Sequence, residues 1–326
     1  MSAVSVIVLV YKSGRYIEQC ARSLFGQTMG DLEFIFVDDC SPDDSMDTLA
    51  RVLDEYPERR SRVSILRNES NRGTAFSRRR GAEAASGDYL IYCDSDDWVE
   101  LDMMERLYAE AVLRSSDAVV CGWFRDSVPA STKYDRPGEN LKDLILDDMV
   151  AGRDLHSLCR FLFRREVYSM GIGFPVHNYG EDLAMLVQLV WNSREVYCVP
   201  EPLYHWRTNM VSLTRNLSEQ AILRRFEGDC ANTRLVESFI AGKGAQESFS
   251  SQLAALKLCS AFDLRPLLRK GERIGEWRNA FPEIKGKVLC NKYITFTHKI
   301  EYLMNRYCPP CVIRAVYRLR SRRTSS

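Results

Sequence analysis

Three aspartates follow a short apolar run in the sequence, in the order Asp94-Ser95-Asp96-Asp97. The apolar run, Tyr89–Cys93, predicts a buried strand of the parallel type, so the acidic residues should emerge at its C-terminal end. In an extended backbone alternate side chains share a face, which would point Asp94 and Asp96 one way and Asp97 the other. Clustered carboxylates are either solvated or neutralised by a hard cation such as Mg²⁺ or Mn²⁺. Taken alone, the cluster fits a solvated acidic turn or a metal site.

The segments around this cluster alternate between apolar strands and helical patterns over the first 125 residues. This alternation is typical of an α/β protein with a doubly wound, mostly parallel sheet, in which ligands bind at the C-terminal ends of the strands. Three polar segments should therefore meet at one sheet edge: Tyr11-Lys12, Asp38-Asp39 and the three aspartates. The predicted strands are Val4–Val10, Leu32–Val37, Val63–Leu66, Tyr89–Cys93 and Ala118–Phe124, and the predicted helices cover about 14–26, 44–55, 73–86 and 100–114.

The loop after the second strand reads Ser41-Pro42-Asp43-Asp44. It predicts a helix start with Ser41 as the N-cap and Pro42 at the first helical position. This interpretation leaves Asp38 and Asp39 without a structural role, and a carboxylate there suits a ribose hydroxyl or the imide N–H of a pyrimidine. The glycine-rich dinucleotide and P-loop motifs and the serine nucleophile elbow are absent from the sequence. Phosphate charge must then be met by a metal and by arginines.

The second half of the chain offers a further acidic site. Glu181 and Asp182 follow Gly180 at the start of a helix predicted over Leu183–Asn192. Acids in the first turn of a helix are stabilised by the helix dipole, and this explanation competes with a catalytic one. Two strands are predicted at Glu195–Val199 and Leu203–Arg207, and helices are predicted at about 218–240, 246–270 and 292–306.

Composition excludes several classes of protein. The 326 residues carry a net charge of +1 and are 45% apolar, which describes a globular protein without the basic excess of a nucleic-acid binder. No apolar run approaches the roughly 18 residues of a membrane span, and the N-terminus is a poor signal peptide, so we expect a cytoplasmic protein. The C-terminal tail has no acid and is expected to lie on the anionic inner face of a membrane, the alternative being a solvated terminus. Its arginines are Arg314, Arg318, Arg320, Arg322 and Arg323.

Taken in order, these segments resemble the family 2 glycosyltransferases, inverting enzymes with the GT-A nucleotide-sugar-binding fold. The resemblance covers residues 4 to about 215. Its six blocks are Val4–Lys12 with Cys20–Thr28, Phe36–Asp43, Asn71–Gly81, Asp94–Asp97, Gly180-Glu181-Asp182, and Tyr204–Arg207 with Ser212-Leu213-Thr214. The sequence departs from the family pattern at Leu9 (usually proline), Lys12 (asparagine), Cys40 (glycine) and Arg79 (asparagine).

The resemblance implies a GT-A catalytic domain over residues 1–215 and a helical region over 216–326. The nucleotide-sugar half would be residues 1–125, and the acceptor half 126–215. Asp182 would be the catalytic base, with Glu181 as runner-up. A divalent cation, Mn²⁺ or Mg²⁺, would be held by Asp96, our first choice, with Asp94 and Asp97. The donor-binding residues would be Tyr11, Asp38, Asp39, Arg78, Asp94, Asp96, His205, Arg207 and Ser212.

The expected activity is metal-dependent transfer of a sugar with inversion. The donor would be a nucleotide-sugar, most simply a UDP-sugar, and the acceptor a glycan or lipid-linked hydroxyl in bacterial surface polysaccharide synthesis. Two alternatives stay open. A sugar-nucleotide-forming nucleotidyltransferase would need a glycine-rich phosphate loop, which Tyr11-Lys12-Ser13-Gly14 does not supply. A non-catalytic nucleotide-sugar or glycan-binding protein would show no nucleotide release with any acceptor.

Overall fold

A computed structural model describes residues 2–130, 134, 136–152, 157–208 and 216–323, and of residues 318–323 the backbone alone. The chain divides into two compact units. The first comprises Met1–Leu146, His156–Val176 and Met185–Met210, and the second Asp147–Leu155, His177–Ala184 and Val211–Ser326. The domain boundary at residue 215 stays a prediction. In the described ranges no helix combines the length and apolar character needed to span a membrane.

The first unit is built on one mixed sheet. Its described strands are β1 Val4–Val10, β2 Leu32–Asp38, β3 Val63–Arg67, β4 Tyr89–Asp94, β5 Trp98–Val99, β6 Ala118–Arg125, β7 Val128–Ala130, β8 Phe161–Arg164 and β9 Val196–Trp206. Their order is β3-β2-β1-β4-β8-β6-β9-β5, and β7 pairs with β6. The pairs β1–β2, β1–β4, β2–β3 and β6–β9 are parallel, and the other pairs in the described chain are antiparallel. The predicted α/β class with a helical C-terminal region is confirmed.

Most of the predicted helices are present with shifted ends. Those in the first 125 residues are shorter than predicted, whereas the helix predicted from Leu183 begins at Glu181 and the one predicted over about 218–240 ends at Gly242. Those along the described chain are α1 Ile17–Phe25, α2 Ser45–Asp54, α3 Thr74–Ala84, α4 Met103–Arg114, α5 Lys142–Val150, α6 Glu181–Asn192, α7 Glu219–Gly242, α8 Ser250–Ala261, α9 Arg265–Leu268, α10 Ile274–Ala280, α11 Phe296–Tyr307 and α12 Pro310–Arg323. Every residue of β1 is buried, as expected for a central strand covered on both faces. A Cβ on Gly81 of α3 would come within 2.3 Å of the Ile7 side chain, so glycine allows this helix to pack directly on β1.

The prediction of two separate strands after residue 194 is wrong. The segments Glu195–Val199 and Leu203–Arg207 form one strand, β9, instead of two. Its register against β6 shifts on either side of Gly122, where an added Cβ would meet the Pro200 carbonyl at 2.6 Å. A bulge lets the strand pass through two prolines without ending, which a pattern search interprets as a break.

The second unit is helical in its C-terminal part. A cluster of buried side chains from α7 to α12 forms its core, including Leu264, Trp277, Tyr302 and Ile313. The rings of Trp277 and Tyr302 lie 5.9 Å apart, so α10 and α11 pack through aromatic contact. The helix predicted over 246–270 is broken at Phe262–Leu264 into a 3₁₀ turn between α8 and α9.

Candidate active site

The three aspartates after β4 lie in a tight turn. The Asp97 backbone N–H donates to the Asp94 carbonyl oxygen at 3.0 Å, so β4 ends at Asp94 and Ser95-Asp96 form the turn. The prediction that Asp94 and Asp96 share one face of an extended strand is therefore wrong. The three aspartates differ instead in their exposure to solvent: Asp94 and Asp96 are partly exposed, whereas Asp97 is 2% exposed.

Asp97 joins the turn to the end of β9. One carboxylate oxygen accepts a hydrogen bond from the Tyr204 hydroxyl at 2.6 Å, and the other accepts from the Arg207 backbone N–H at 2.8 Å. Burial, and then the charges of Asp94 and Asp96, raise the pKa of Asp97 to about 8. Because both oxygens have protein donors, Asp97 fixes where the chain leaves β9.

Arg207 is held beside Asp96 by contacts on several sides. Its Nε donates to the Asp96 carbonyl at 3.0 Å, and Nη2 donates to the Gln19 side chain. The guanidinium lies 4.7 Å from the centre of the Trp98 ring and 5.2 Å from that of Tyr16. Stacking and hydrogen bonding together orient this cation at the strand ends.

Arg78 approaches the same turn from α3. It is 4% exposed, and its Nη2 lies 3.4 Å from an Asp94 carboxylate oxygen. Its guanidinium lies 5.2 Å from the centre of the Tyr92 ring, whose hydroxyl donates to the Arg78 carbonyl at 3.2 Å. The neighbouring Arg79 and Arg80 instead bind Glu83 and the Arg67 carbonyl outside the core.

Asp38 closes the loop after β2. Its carboxylate accepts from the Ser41 backbone N–H at 2.8 Å and lies 3.3 Å from Arg67 Nε. Ser41 is not the N-cap of α2, since this helix begins at Ser45. The Ser41 hydroxyl instead accepts from the Lys12 backbone N–H at 2.8 Å.

Asp39 organises the entry to α3. It accepts from the Asn68 side chain and from the backbone N–H groups of Arg72 and Gly73, each at 2.7 Å. The prediction that Asp38 and Asp39 lack structural roles is therefore wrong. Each carboxylate ties together segments that the sequence separates, which a local pattern does not reveal.

Hydroxyl groups connect the loops after β1, β2 and β4. The Ser13 hydroxyl lies 2.6 Å from that of Ser95, and the Ser13 backbone N–H donates to the Ser45 hydroxyl at 2.9 Å. Burial tends to raise the pKa of Asp43, but hydrogen bonds from Ser41, Ser45 and the Gly14 backbone N–H outweigh it and hold this pKa at about 2. The network fixes the three loops relative to one another.

Two departures from the family pattern occur in left-handed backbone. Lys12 has φ 54° and Cys40 has φ 58°, each just beyond the C-terminal end of its strand. Asparagine and glycine, the residues common there in the family the sequence resembles, adopt this region at lower cost than other residues. Lys12 and Cys40 thus occupy backbone positions that asparagine and glycine favour. Tyr11, which directly precedes Lys12, is 40% exposed and offers an accessible ring at this edge.

His205 packs within the sheet. Its ring stacks between Trp98, at 4.7 Å, and Phe124, at 4.2 Å, its cross-strand neighbours on β5 and β6. Its Nε2 lies 2.6 Å from a Glu100 carboxylate oxygen. These contacts give His205 a structural role, and its contact with a diphosphate stays a prediction. The predicted donor residue Ser212 lies outside the described residues.

The acidic pair Glu181-Asp182 belongs to the second unit, where α7 supports the segment that leads to it. The Asn232 side chain donates to the carbonyls of His177 and Tyr179, at 3.1 and 2.6 Å. Gly180 has φ 72°, and a Cβ there would meet an Asp229 carboxylate oxygen at 2.3 Å. Sequence reasoning missed these α7 residues because Asp229 and Asn232 carry no motif and lie some 50 residues away.

Asp229 belongs to a carboxyl pair with Asp263. Burial, then the hydrogen bond to Asp263 and the charges of Asp263 and Glu181, raise the pKa of Asp229 to about 9. Such a group keeps its proton in the folded chain while the unfolded chain has released it. Stability present at low pH is therefore lost progressively as the pH rises from the ordinary carboxyl range to about 9.

Asp229→Asn should remove this pH dependence, because an amide cannot ionise. We expect the melting temperature of the variant, relative to the wild type, to rise by several degrees between pH 6 and pH 9.5, since linkage from a folded-state pKa of about 9 corresponds to about 4 kcal/mol over that range. Scanning calorimetry across that range measures it, with Glu227→Gln, an exposed acid on α7, as the control. If the melting temperatures of Asp229→Asn and the wild type changed with pH in parallel, the inference that Asp229 and Asp263 share a proton would be contradicted.

The carboxylates at the edge fit a hard divalent cation as a two-ligand set. In the described part of the chain, no three His, Cys, Asp or Glu side chains are grouped so as to hold a metal ion by themselves. Asp94 and Asp96 are partly exposed and supply oxygen donors, whereas both Asp97 oxygens accept protein hydrogen bonds. Sites of the Mg²⁺ type use one or two carboxylates together with substrate phosphates. Metal ligation by all three aspartates stays a prediction.

Comparison with known proteins gives consistent matches. The sequence model described as Glycosyl transferase family 2 matches residues 5–169. The putative glycosyltransferase EpsH of Bacillus subtilis is 30% identical over 267 residues, 77% of this chain and 73% of that protein. The putative teichuronic acid biosynthesis glycosyltransferase TuaG of the same organism is 28% identical over 216 residues, 65% of this chain and 82% of that protein.

Solved structures share the fold. S. aureus TarS 1-349 in complex with UDP superposes with a TM-score of 0.70 at 18% identity, covering 100% of this chain and 92% of that chain. The mannosyltransferase PcManGT from Pyrobaculum calidifontis in complex with GDP-Man and Mn²⁺ gives 0.55 at 15% identity, covering 97% and 84%. At such identities the likeness concerns the fold alone.

Proposed function

The chain belongs to glycosyl transferase family 2, and we propose that it transfers a sugar from a UDP-sugar to a hydroxyl group of a glycan or lipid-linked acceptor, with inversion, in the synthesis of a bacterial surface polysaccharide. The observation that carries this proposal is the joining of Arg207 to the Asp94–Asp97 turn through Asp97 and the Asp96 carbonyl. A cation is thereby held beside partly exposed carboxylates at the strand ends, where nucleotides bind in α/β sheets.

Three features support a uridine nucleotide as the donor. The exposed ring of Tyr11 can stack on a base, and Asp38 and Asp39 lie at the adjoining strand end. The structural relative TarS is described in complex with UDP. A guanosine donor is the competing choice, because PcManGT is described with GDP-Man. EpsH and TuaG are bacterial relatives, and the role of TuaG as a putative teichuronic acid biosynthesis glycosyltransferase supports a polysaccharide product.

The reaction we propose is a single displacement. The Asp182 carboxylate takes the proton of the acceptor hydroxyl, whose oxygen forms the new bond to the anomeric carbon. The bond from that carbon to the diphosphate oxygen breaks, and the electron pair leaves with the nucleoside diphosphate. Attack opposite the leaving group inverts the anomeric centre, by the same geometric rule as in inverting glycosidases. Arg207, already oriented by Trp98 and Tyr16, meets the charge that develops on the diphosphate.

A divalent cation, Mn²⁺ or Mg²⁺, completes the proposed site. Asp94 and Asp96 would hold it, and when bound it would neutralise charge on the diphosphate. Asp97 instead positions Arg207 from the protein side. The Mn²⁺ named with PcManGT supports this choice of metal class.

A thermal-shift screen of nucleotide-sugars tests the proposal. With Mn²⁺ present, the correct donor at 100 times its Kd should stabilise the folded chain by about 2.7 kcal/mol, whereas sugars without the nucleotide should not. UDP-sugars and GDP-sugars are tested in parallel, which distinguishes a uridine donor from a guanosine donor. Release of pyrophosphate from an NTP and a sugar phosphate, with no response to any nucleotide-sugar, would favour the nucleotidyltransferase alternative instead.

A further inference from the structure

Helix α11 presents a continuous apolar stripe to solvent. The stripe consists of Phe296, Ile300, Leu303 and Tyr307, which are 78%, 39%, 38% and 61% exposed. Their spacings of four, three and four residues place them within an arc of about 60° at 100° per residue. Exposed apolar residues are ordinary when scattered, but a contiguous row on one helix face indicates a binding surface.

The opposite face of α11 fixes this orientation. Tyr302, Met304 and Asn305 are buried there, and the Tyr302 ring contacts Trp277. Glu301 is also buried and binds Arg265 at 2.9 Å. Because the helix already has an apolar side packed in the core of its unit, the α11 stripe is additional apolar surface.

The stretch of sequence that contains the stripe is strongly basic. Residues 284–323 contain a single carboxylate, Glu301, which is buried and neutralised by Arg265. The same segment carries ten cations: Lys285, Lys287, Lys292, Lys299, Arg306, Arg314, Arg318, Arg320, Arg322 and Arg323. Lys299 and Arg306 lie on one side of the stripe, at about 60° and 80° around the helix axis from Phe296.

We propose that the α11 stripe is a docking surface for an anionic lipid membrane. Apolar side chains in a row, with lysines and arginines along one side and no exposed carboxylate in the segment, match the composition of helices that lie in the plane of a lipid interface. Charge complementarity favours anionic lipid over a second copy of this chain, whose corresponding surface would carry the same positive charge. The inference extends the lipid-linked acceptor in the proposed function by naming the surface that meets the lipid.

Co-sedimentation of the full chain with vesicles tests the surface. Vesicles of 30% phosphatidylglycerol in phosphatidylcholine are compared with pure phosphatidylcholine, at low and high salt. We expect binding to the anionic vesicles that weakens with salt, and a loss of at least tenfold in the variant F296Q/I300Q/L303Q. The matched control V112Q/L113Q/V128Q removes three other exposed apolar side chains, 54%, 77% and 65% exposed, and should bind as the wild type.

A charge variant tests the same surface independently, in case F296Q/I300Q/L303Q misfolds. Lys285→Glu, Lys287→Glu and Lys292→Glu together alter exposed residues only and should also weaken anionic binding at least tenfold. Wild-type affinity in both variants would overturn the proposal, as would failure of the wild type to bind anionic vesicles. Concentration-dependent self-association abolished in F296Q/I300Q/L303Q, without vesicle binding, would assign the stripe to a second copy. We expect these changes to leave the thermal shift with a soluble nucleotide-sugar as in the wild type, so failure of donor binding would be seen separately.

Discussion

Asp182→Asn should lower sugar transfer by about 10²–10⁴-fold while leaving donor affinity within about twofold of the wild type. The range is what a positioned general base contributes, and the amide cannot accept the proton of the acceptor hydroxyl. The donor contacts proposed at the strand ends do not involve Asp182, so its loss should be seen in kcat and not in donor binding. Initial rates of UDP release with acceptor, together with donor titration by calorimetry, measure the two quantities.

Glu181→Gln is the matched control for that substitution. Glu181 directly precedes Asp182 in the same first turn of α6, and both changes remove one negative charge from the helix N-terminus. A loss of helix-dipole stabilisation would affect the two variants alike, whereas loss of the base affects one. Full activity in Asp182→Asn with a large loss in Glu181→Gln would transfer the role of base to Glu181. Absence of nucleotide release from the wild type across a broad acceptor panel would favour the non-catalytic alternative.

The elements of the parallel half of the sheet could be predicted from sequence because their signals are local. Six of the seven buried residues of β1 are apolar, with Ser5 the exception, and the rule for parallel strands then locates the site edge before any contact is known. The acidic segments after β2 and β4 follow from the same rule. The structure places both segments at the ends of their strands as predicted, while their hydrogen-bond partners could not be predicted.

The rest depends on contacts between distant residues. Asn232 supports the chain before Glu181 from more than 50 positions away, and Asp39 binds backbone N–H groups beyond residue 70. No periodicity records such pairs. The turn after β4 shows the same limit, since an acidic run predicts solvent exposure and yet Asp97 is buried and hydrogen-bonded to Tyr204 of β9, a residue far along the chain.

Asp96→Asn and Asp97→Asn should both lower activity, but for different reasons. Comparison of the two variants separates metal binding from the positioning of Arg207. Asp96 is proposed as a cation ligand, so its amide should weaken Mn²⁺ binding in the presence of UDP by at least tenfold. Activity of this variant should recover in part at high Mn²⁺. Titration of Mn²⁺ followed by its electron paramagnetic resonance signal measures the affinity without relying on turnover.

Asp97→Asn should leave Mn²⁺ affinity unchanged but lower kcat by about 10²–10³-fold, the usual loss when one oriented group that meets transition-state charge is removed. The comparison is made above about pH 8, where Asp97 is ionised and both of its oxygens accept hydrogen bonds. The amide of Asn accepts through one oxygen only, so either the Tyr204 hydroxyl must turn from donor to acceptor or the Arg207 backbone N–H loses its acceptor. A buried donor left without an acceptor in Asp97→Asn should also lower the free energy of unfolding by about 1–3 kcal/mol. Tyr204→Phe, which removes the other partner of Asp97, should be milder because Arg207 keeps its acceptor. A loss of Mn²⁺ in Asp97→Asn equal to that in Asp96→Asn would make Asp97 a metal ligand and return all three aspartates to one metal site.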